Sequence, residues 1–272
     1  GETLTANTGT WRGAPALVYS YKWFRCSQEA LVASDLVPAG CNAISNATSS
    51  TYKPLRTDVA VEPNQNFLTV QVTAKSAGVY VSKWSATTGV IKEEPLNIKP
   101  QTIKVNGGTT AGEPKVGGTV EMVPGEWYGD PAPVFTKQWL SCSVQITKAS
   151  DSLPVGCENI TGEQATTLDV TSALAGKYLV LAVTGENYLK ARTKWSVSTA
   201  LVTEAPANTV APSVIGRPFV QGTLSADGGT WTGTRTPALS YEWYTCPNQI
   251  LSPGGTKPAA CSVIAGATSV TY

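Results

Sequence analysis

The sequence contains no histidine, and charged residues make up only 14% of its 272 positions. Without histidine, neither a Ser-His-Asp triad nor an imidazole-based acid–base pair can form. The net charge of +1 supplies no field that would attract nucleic acid or an anionic membrane surface. We therefore expect no nucleic-acid partner, no catalytic residue of these classes and no cofactor.

Long apolar runs are also absent. No window reaches the roughly 20 apolar residues that a membrane-spanning helix requires, so we expect no transmembrane segment within this sequence. The residues that follow Gly1 do not form a secretory signal. A mature or shortened secreted polypeptide would have this character, with any signal or anchor outside the sequence.

One pattern recurs three times with fixed internal spacing. Each copy has a Trp between two Gly, a second Trp 12 residues later, a Cys three residues after that, and a second Cys after 15 more. These residues are Trp11, Trp23, Cys26 and Cys41; Trp127, Trp139, Cys142 and Cys157; and Trp231, Trp243, Cys246 and Cys261. The period of roughly 100 residues matches one small all-β domain. We predict repeat 1 over residues 1–99, repeat 2 over 100–206 and repeat 3 over 207–272.

Short apolar alternations separated by turn residues predict strands, and no helical periodicity is sustained. In the stretch 17–23, Tyr19, Tyr21 and Trp23 share one face, which predicts that Trp23 is a core residue. Cys26 has the opposite parity, so its sulfur should point away from that face, or the strand should already be leaving the sheet. We predict a peripheral disulfide that braces the loop 27–40, and we predict that this loop is the most plausible contact surface of each repeat.

The six cysteines form three equivalent local pairs with none left over, which predicts structural disulfides in an oxidising compartment. Each closed loop should contribute on the order of 3 kcal/mol to stability. A metal site is the weaker interpretation, because zinc needs about four Cys or His ligands and calcium needs converging oxygen ligands. The carboxylates have no equivalents across all three repeats, so we predict no shared carboxylate site; they include Asp58, Glu62, Asp151, Asp169 and Glu186.

The flanking Gly residues favour a core role for Trp11, Trp127 and Trp231, each closing one end of a small core, over stacking on sugars. Trp84 and Trp195 each follow a Lys, which allows either a cation–π contact or a contact between domains. Two glycosylation sequons begin at Asn46 and Asn159, but they lie at different repeat positions, and we interpret them as incidental.

Proline-containing segments at 93–100 and 203–212 predict short, stiff linkers. Repeat 1 lacks an opening strand and repeat 3 lacks its last strands. Because repeat 1 lacks strands at its start and repeat 3 lacks strands at its end, two explanations are open. Either the sequence is a segment of a longer array, or neighbouring copies complete one another by strand exchange.

The pattern G-x-W-x-G, Y-x-W-x-x-C and C-x-x-I-x-G-A-T-x-x-T-Y resembles the immunoglobulin-like repeats found in tandem in actinobacterial secreted and cell-surface proteins. Repeat 3 matches it best, through Ile264, Gly266, Ala267, Thr268, Thr271 and Tyr272. Lys137 and Leu168 depart from it in repeat 2. The resemblance implies an all-β fold of tandem immunoglobulin-like β-sandwich domains, with one local disulfide per domain. Because both cysteines follow the buried Trp, this bond is not the bridge between sheets of antibody domains.

Repetition without a recognisable site favours a non-enzymatic extracellular structural protein, such as a surface stalk, filament or S-layer-like lattice. Its partners would be neighbouring copies of the same protein. The alternatives are an adhesin or glycan-binding arm, whose partner would be a surface glycan, and a phage virion decoration or tail-fibre domain. The expected location is extracellular, either secreted or at the cell surface.

Overall fold

The structure is a computed structural model that describes residues 2–13, 16–60, 64–105, 112–250, 252 and 254–272. The described chain is all-β, which confirms the predicted class. Its strands are β1 (Leu4–Thr5), β2 (Val18–Cys26), β3 (Cys41–Ala43), β4 (Thr51–Tyr52), β5 (Phe67–Ser76), β6 (Val79–Trp84), β7 (Glu93–Lys99), β8 (Thr102–Val105), β9 (Thr119–Val123), β10 (Glu126–Asp130), β11 (Val134–Cys142), β12 (Cys157–Asn159), β13 (Thr167–Asp169), β14 (Tyr178–Asn187), β15 (Lys190–Trp195), β16 (Ala207–Val210), β17 (Ser213–Gly216), β18 (Leu224–Asp227), β19 (Thr230–Thr232), β20 (Tyr244–Thr245) and β21 (Ser262–Val263). Two 3₁₀ turns, Arg56–Asp58 and Ser172–Leu174, are its helical segments, and both are far too short to cross a membrane.

The first two repeats use the same sheet order. Repeat 1 has a four-stranded sheet β3-β2-β5-β6 and a β1-β4 pair, and repeat 2 has the corresponding sheet β12-β11-β14-β15 and a three-stranded sheet β13-β9-β8. Strand β8 has no counterpart among the described residues of repeat 1. In the part of repeat 3 that the structure describes, the strands form two-stranded pairs, namely β16-β19, β17-β18 and β20-β21.

The second Trp of each repeat lies in the core and is held by the same bond. The indole Nε1 of Trp23, Trp139 and Trp243 donates to a carbonyl 26 residues later, at 2.9, 3.0 and 2.9 Å. Their exposed fractions are 3%, 0% and 9%. In repeat 1, Leu4 and Tyr52 pack against the Trp23 cluster. The structure therefore places the second Trp of each repeat in the core, as the sequence predicts.

The turn that follows the second Cys of each repeat has a residue in the left-handed backbone conformation five positions after that Cys. Asn46, Gly162 and Gly266 occupy this position with φ of 61°, 82° and 77°. Glycine adopts this conformation without a Cβ clash, and asparagine is among the residues that tolerate it best. The asparagine of the first sequon thus has a backbone role, since it replaces the glycine of the other repeats.

The disulfides Cys26–Cys41, Cys142–Cys157 and Cys246–Cys261 are present, and in the first two repeats they join directly paired strands. Cys26 remains in β2, opposite both Cys41 and Phe67. The expectation that the strand leaves the sheet at Cys26 is therefore wrong. The sulfur does lie on the face opposite Trp23, as parity predicts, but Cys26 is fully buried rather than peripheral.

A second apolar layer explains this burial. In repeat 2, Cys142 and Cys157 form a buried cluster with Leu140, Val180 and Ala182, and Ile146 of the disulfide-closed loop packs against it. The backbone of this loop crosses the sheet to bond with the segment at the end of β15, through Ser150–Trp195 and Ile146–Ser198. Equivalent bonds in repeat 1 join Ser34 to Trp84 and Ala30 to Thr87. In repeats 1 and 2, the disulfide-closed loop therefore covers the back face of the four-stranded sheet.

Strand β7 lies before the predicted repeat boundary at Lys99, yet it pairs antiparallel with β10 of repeat 2. Strand β16 lies within the predicted repeat 3, in the segment predicted as a linker, and pairs with β19 of that repeat. Both segments predicted as linkers thus contain a strand that pairs with a strand of the repeat that follows. The proline Pro95 is accommodated because β7 pairs on one side only in the described sheets, where a missing N–H is tolerated.

The chain divides into two compact units that do not follow the predicted repeats. The first comprises Gly1–Lys99, Glu126–Phe135 and Thr184–Arg192. The second comprises Pro100–Gly125, Thr136–Val183 and Thr193–Tyr272. Two segments predicted to belong to repeat 2 therefore contact repeat 1 densely enough to be part of its unit.

The core prediction fails at the first Trp of repeat 3. Trp11 is half-buried against the Trp23 cluster, and Trp127 is half-buried against Phe135, with ring centroids 5.8 Å apart. Trp231, in contrast, is 36% exposed. Gly185 of β14 lies against the ring of Trp127, and the described part of repeat 3 contains no counterpart of β14 that could cover Trp231.

Candidate functional site at the junction of repeats 1 and 2

The junction site is built around β7 and lies within the first compact unit. Along the ladder of β7 and β10, Glu126 pairs with Lys99, Trp127 with Asn97 and Asp130 with Glu93. The register shifts twice over this short ladder, so each strand contains irregularities. Such bulges bend a strand and re-aim its side chains.

Two cations of repeat 1 contact β10. The guanidinium of Arg56 lies over the ring of Tyr128 and is 3.7 Å from the carboxylate of Glu93. Lys92 Nζ is 3.0 Å from an Asp130 carboxylate oxygen, and both side chains are largely buried. Partial burial reduces solvent screening, so the Lys92–Asp130 pair should contribute more than an exposed ion pair.

The hairpin joining β14 and β15 reaches the same strand β7. Asn187 Nδ2 donates to the carbonyl oxygens of Glu93, at 2.9 Å, and Pro131, at 3.1 Å. Arg192 donates to the Glu94 carboxylate, which Lys190 also approaches at 3.9 Å. The hydrogen bond from Arg192 lowers the pKa of Glu94 below its ordinary value. Because Glu94 is 42% exposed, solvent limits the energy of these pairs.

An open cleft of about 510 Å³ lies beside these contacts. Its walls combine apolar side chains of repeat 1, including Leu4, Leu55 and Ile91, with Leu189 and Arg192 of the β14–β15 hairpin. The cleft is therefore part of the packing between the hairpin and repeat 1. Among the described residues, no group of three or more His, Cys, Asp or Glu is arranged to hold a metal ion.

A second titratable cluster lies in repeat 1 around Asp58, which is fully buried. Arg25 Nε donates to Asp58 Oδ1 at 3.0 Å, and the Tyr52 hydroxyl and the Leu55 N–H donate to Oδ2 at 2.7 Å each. Burial, followed by the hydrogen bond to Asp58, raises the pKa of Tyr52 from 10.0 to about 12. A carboxylate paired in this way anchors structure, since its oxygens already have partners.

The disulfide-closed loops, predicted as contact surfaces, do expose apolar side chains. Leu31, Val32 and Leu36 of repeat 1 are 79%, 75% and 76% exposed, and Val155 of repeat 2 is 90% exposed. The same loops cover the back faces of their sheets, so they combine a structural role with an exposed apolar surface.

The lysines before Trp84 and Trp195 form ion pairs rather than cation–π contacts with the tryptophans. Lys83 pairs with Asp35, and Lys194 Nζ lies 2.9 Å from an Asp151 carboxylate oxygen. The indole of Trp84 instead meets Phe24 edge-on, with ring centroids 6.4 Å apart. The sequence interpretation missed the equivalence of Asp35 and Asp151. It was visible as a Ser-Asp pair whose Asp lies nine residues after the first Cys of each repeat.

The remaining carboxylates stay apart. Asp169 pairs with Thr119 in the β13–β9 ladder, and Glu186 lies near the end of β14. Glu62 lies outside the described residues.

When the chain was compared with known protein families, curated proteins and solved structures, no match was found.

Proposed function

We propose that this chain is a segment of a non-enzymatic structural protein of the bacterial cell exterior. Its tandem immunoglobulin-like β-sandwich repeats would join into a stalk, a filament or a surface lattice. A sandwich is supported by the packing of Leu4 and Tyr52, from the β1–β4 pair, against Trp23 of the four-stranded sheet. The three disulfides favour an oxidising, extracellular location.

The observation that carries the proposal is the interlocked junction. Strand β7 continues directly from repeat 1, pairs with β10 and receives the Asn187 side chain from a third segment. A flexible tether would need none of these contacts. In an array of repeats such contacts add stability, since repeat proteins gain it from interfaces between adjacent repeats.

Assembly can be tested on the purified chain by sedimentation velocity over a wide range of concentrations and salt, followed by negative-stain electron microscopy. We expect concentration-dependent association and ordered fibres or layers. A chain that stays monomeric under every condition and forms no ordered assembly would contradict the proposal.

The adhesin alternative has one observation in its favour, which is the apolar surface of the disulfide-closed loops. Binding by these loops would be saturable on a glycan or host-protein array and would be lost in Leu31→Ser/Leu36→Ser. If the array stays empty while the chain assembles, the adhesin function is rejected. If binding is found and assembly is not, the structural function is rejected instead.

A further inference from the structure

The ion pair between Lys92 and Asp130 differs in its burial from the other lysine–carboxylate pairs among the described residues. Lys92 Nζ lies 3.0 Å from an Asp130 carboxylate oxygen, and the two side chains are 20% and 12% exposed. In each of the other pairs at least one side chain is half or more exposed; they are Lys83–Asp35, Lys99–Glu126, Lys190–Glu94 and Lys194–Asp151. The junction therefore holds an amine and a carboxylate together where water has little access.

The backbone keeps these two groups in contact. Lys92 immediately precedes β7, Asp130 is the last residue of β10, and the ladder of β7 and β10 pairs Asp130 with Glu93. Both residues lie within the first compact unit. Asn187 donates to the carbonyl oxygens of Glu93 and Pro131, so it bonds to the backbone beside each member of the pair. The pair is thus preorganised, unlike an ion pair between two mobile surface side chains.

This arrangement favours condensation of the amine with the carboxyl group. Holding two reacting groups in a productive contact can correspond to an effective concentration on the order of 10⁵–10⁸ M. Water, which would hydrolyse the product, is largely excluded by the burial of both side chains. The product is also neutral, so condensation removes two charges whose desolvation offsets much of their attraction.

We infer that Lys92 and Asp130 become joined by a side-chain amide, which is an isopeptide bond. Lys92 Nζ bonds to Asp130 Cγ, and the bond from Cγ to one carboxylate oxygen breaks. That oxygen leaves as water with two of the three ammonium protons, and the third proton stays on the amide nitrogen. The step is balanced without an oxidant, a cofactor or any other reactant.

The isopeptide bond closes a covalent ring of residues 92–130 that contains β7 and β10. Tension that reaches Lys92 then passes to Asp130 through the amide, so the ladder of β7 and β10 does not have to carry it. High salt weakens exposed pairs such as Arg192–Glu94, and reductants open disulfides, but neither breaks an amide. The inference goes beyond the proposed structural function, because it assigns a covalent modification to the junction.

The next junction lacks the groups for this reaction. Counted from the tryptophans of each repeat, Thr203 and Thr234 occupy the positions of Lys92 and Asp130. There the Glu204 N–H donates to Thr234 Oγ1 at 2.7 Å. Two hydroxyl side chains cannot form an amide, so we expect one isopeptide bond in this chain.

Mass spectrometry of the reduced and denatured full chain tests the inference. After storage at neutral pH, the chain should be lighter than its sequence by the mass of one water. Trypsin cleaves after lysines with a free amine, so it should not cleave after Lys92 and should release a branched peptide that contains Lys92 and Asp130. Lys92→Arg keeps the cation but carries a guanidinium that stays protonated, so this variant should have its full mass. Lys194→Arg, which changes a pair with an exposed carboxylate, is the matched control and should keep the deficit.

Three results would overturn the inference. A full sequence mass would mean that no bond forms. A deficit that persists in Lys92→Arg would come from another source, such as a succinimide at Asp227-Gly228, and a branched peptide at Lys194 would mean that burial does not select the site. The structural function is tested separately: a chain that assembles without the bond rejects only the inference, and a bonded chain that never assembles rejects only the structural function.

Discussion

Repeats 1 and 2 fill the same buried position with opposite chemistry. In repeat 1 the position holds Asp58 with its partners Arg25 and Tyr52. The equivalent residues of repeat 2 are Leu174, Ser141 and Leu168, and the two leucines are 7% and 2% exposed. Since the 3₁₀ turns Arg56–Asp58 and Ser172–Leu174 have the same place in both repeats, the backbone does not require the charges.

The comparison shows that this position can be stabilised in two ways that respond differently to mutation. An apolar cluster loses stability in proportion to the atoms removed. A buried ion pair contributes little net stability when complete, because desolvation offsets the attraction, but it is costly to break. We therefore expect repeat 1 to be more sensitive than repeat 2 to single changes and to high pH.

The largest effect is expected from Arg25→Ser, which places the residue of repeat 2 in repeat 1. Asp58 would remain buried without its cation, and repeat 1 should lose about 3–5 kcal/mol. Hydrogen exchange in urea, read by mass spectrometry on peptides of each repeat, would locate the loss. Ser141→Ala is the matched control in repeat 2 and should cost less than about 1 kcal/mol. Equal losses in the two variants would contradict the asymmetry.

A smaller, pH-dependent effect is expected from Tyr52. Its folded-state pKa is raised from 10.0 to about 12, so the folded chain holds this proton more tightly than the unfolded chain. The stabilisation should be complete below pH 10 and should disappear as the pH rises through about 12. Urea midpoints measured between pH 9 and 12 would show it, with tyrosinate absorbance reporting the titration.

Tyr52→Phe is the control for that experiment, because it removes the titrating hydroxyl and leaves the lysines unchanged. The variant should lose less stability between pH 10 and 12 than the original chain. Identical pH profiles would mean that the Tyr52–Asp58 bond does not stabilise repeat 1.

The smallest change is expected from the complete exchange Arg25→Ser/Tyr52→Leu/Asp58→Leu. Replacing a buried ion pair by apolar residues of similar size is often neutral, so we expect stability within about 1 kcal/mol of the original, far above that of Arg25→Ser alone. The same exchange data would measure it. If the triple variant is as unstable as the single one, the two repeats are not interchangeable at this position.

The sequence was sufficient to predict the features that depend on local spacing. Alternation in β2 placed Trp23 on the core face, and equal spacing paired Cys26 with Cys41. The features that depend on distant residues were missed. Asp58 was interpreted as an isolated carboxylate because Arg25 lies 33 residues before it, and the disulfide was expected to be peripheral because nothing in the pattern shows that its loop folds back over the sheet.

The junction was missed for a similar reason. Prolines and charges in 93–100 are typical of a linker, and the pairing partner of β7 begins at Glu126, well beyond any local pattern. The exposure of Trp231 was missed for the same reason, because a Trp at this position is covered by a strand that is distant in the sequence, as β14 covers Trp127.

The disulfide-closed loop also limits how far each repeat can be stretched. Cys26 and Cys41 are 15 residues apart, and that length of extended chain spans about 50 Å. When a repeat is pulled open from its two ends, the covalent ring keeps this length from being released, so the tension bypasses the loop and its exposed side chains. A shaft built from such units would lengthen less under tension than its residue count suggests, and each loop would stay closed as a covalent ring after the sheet beneath it had unfolded.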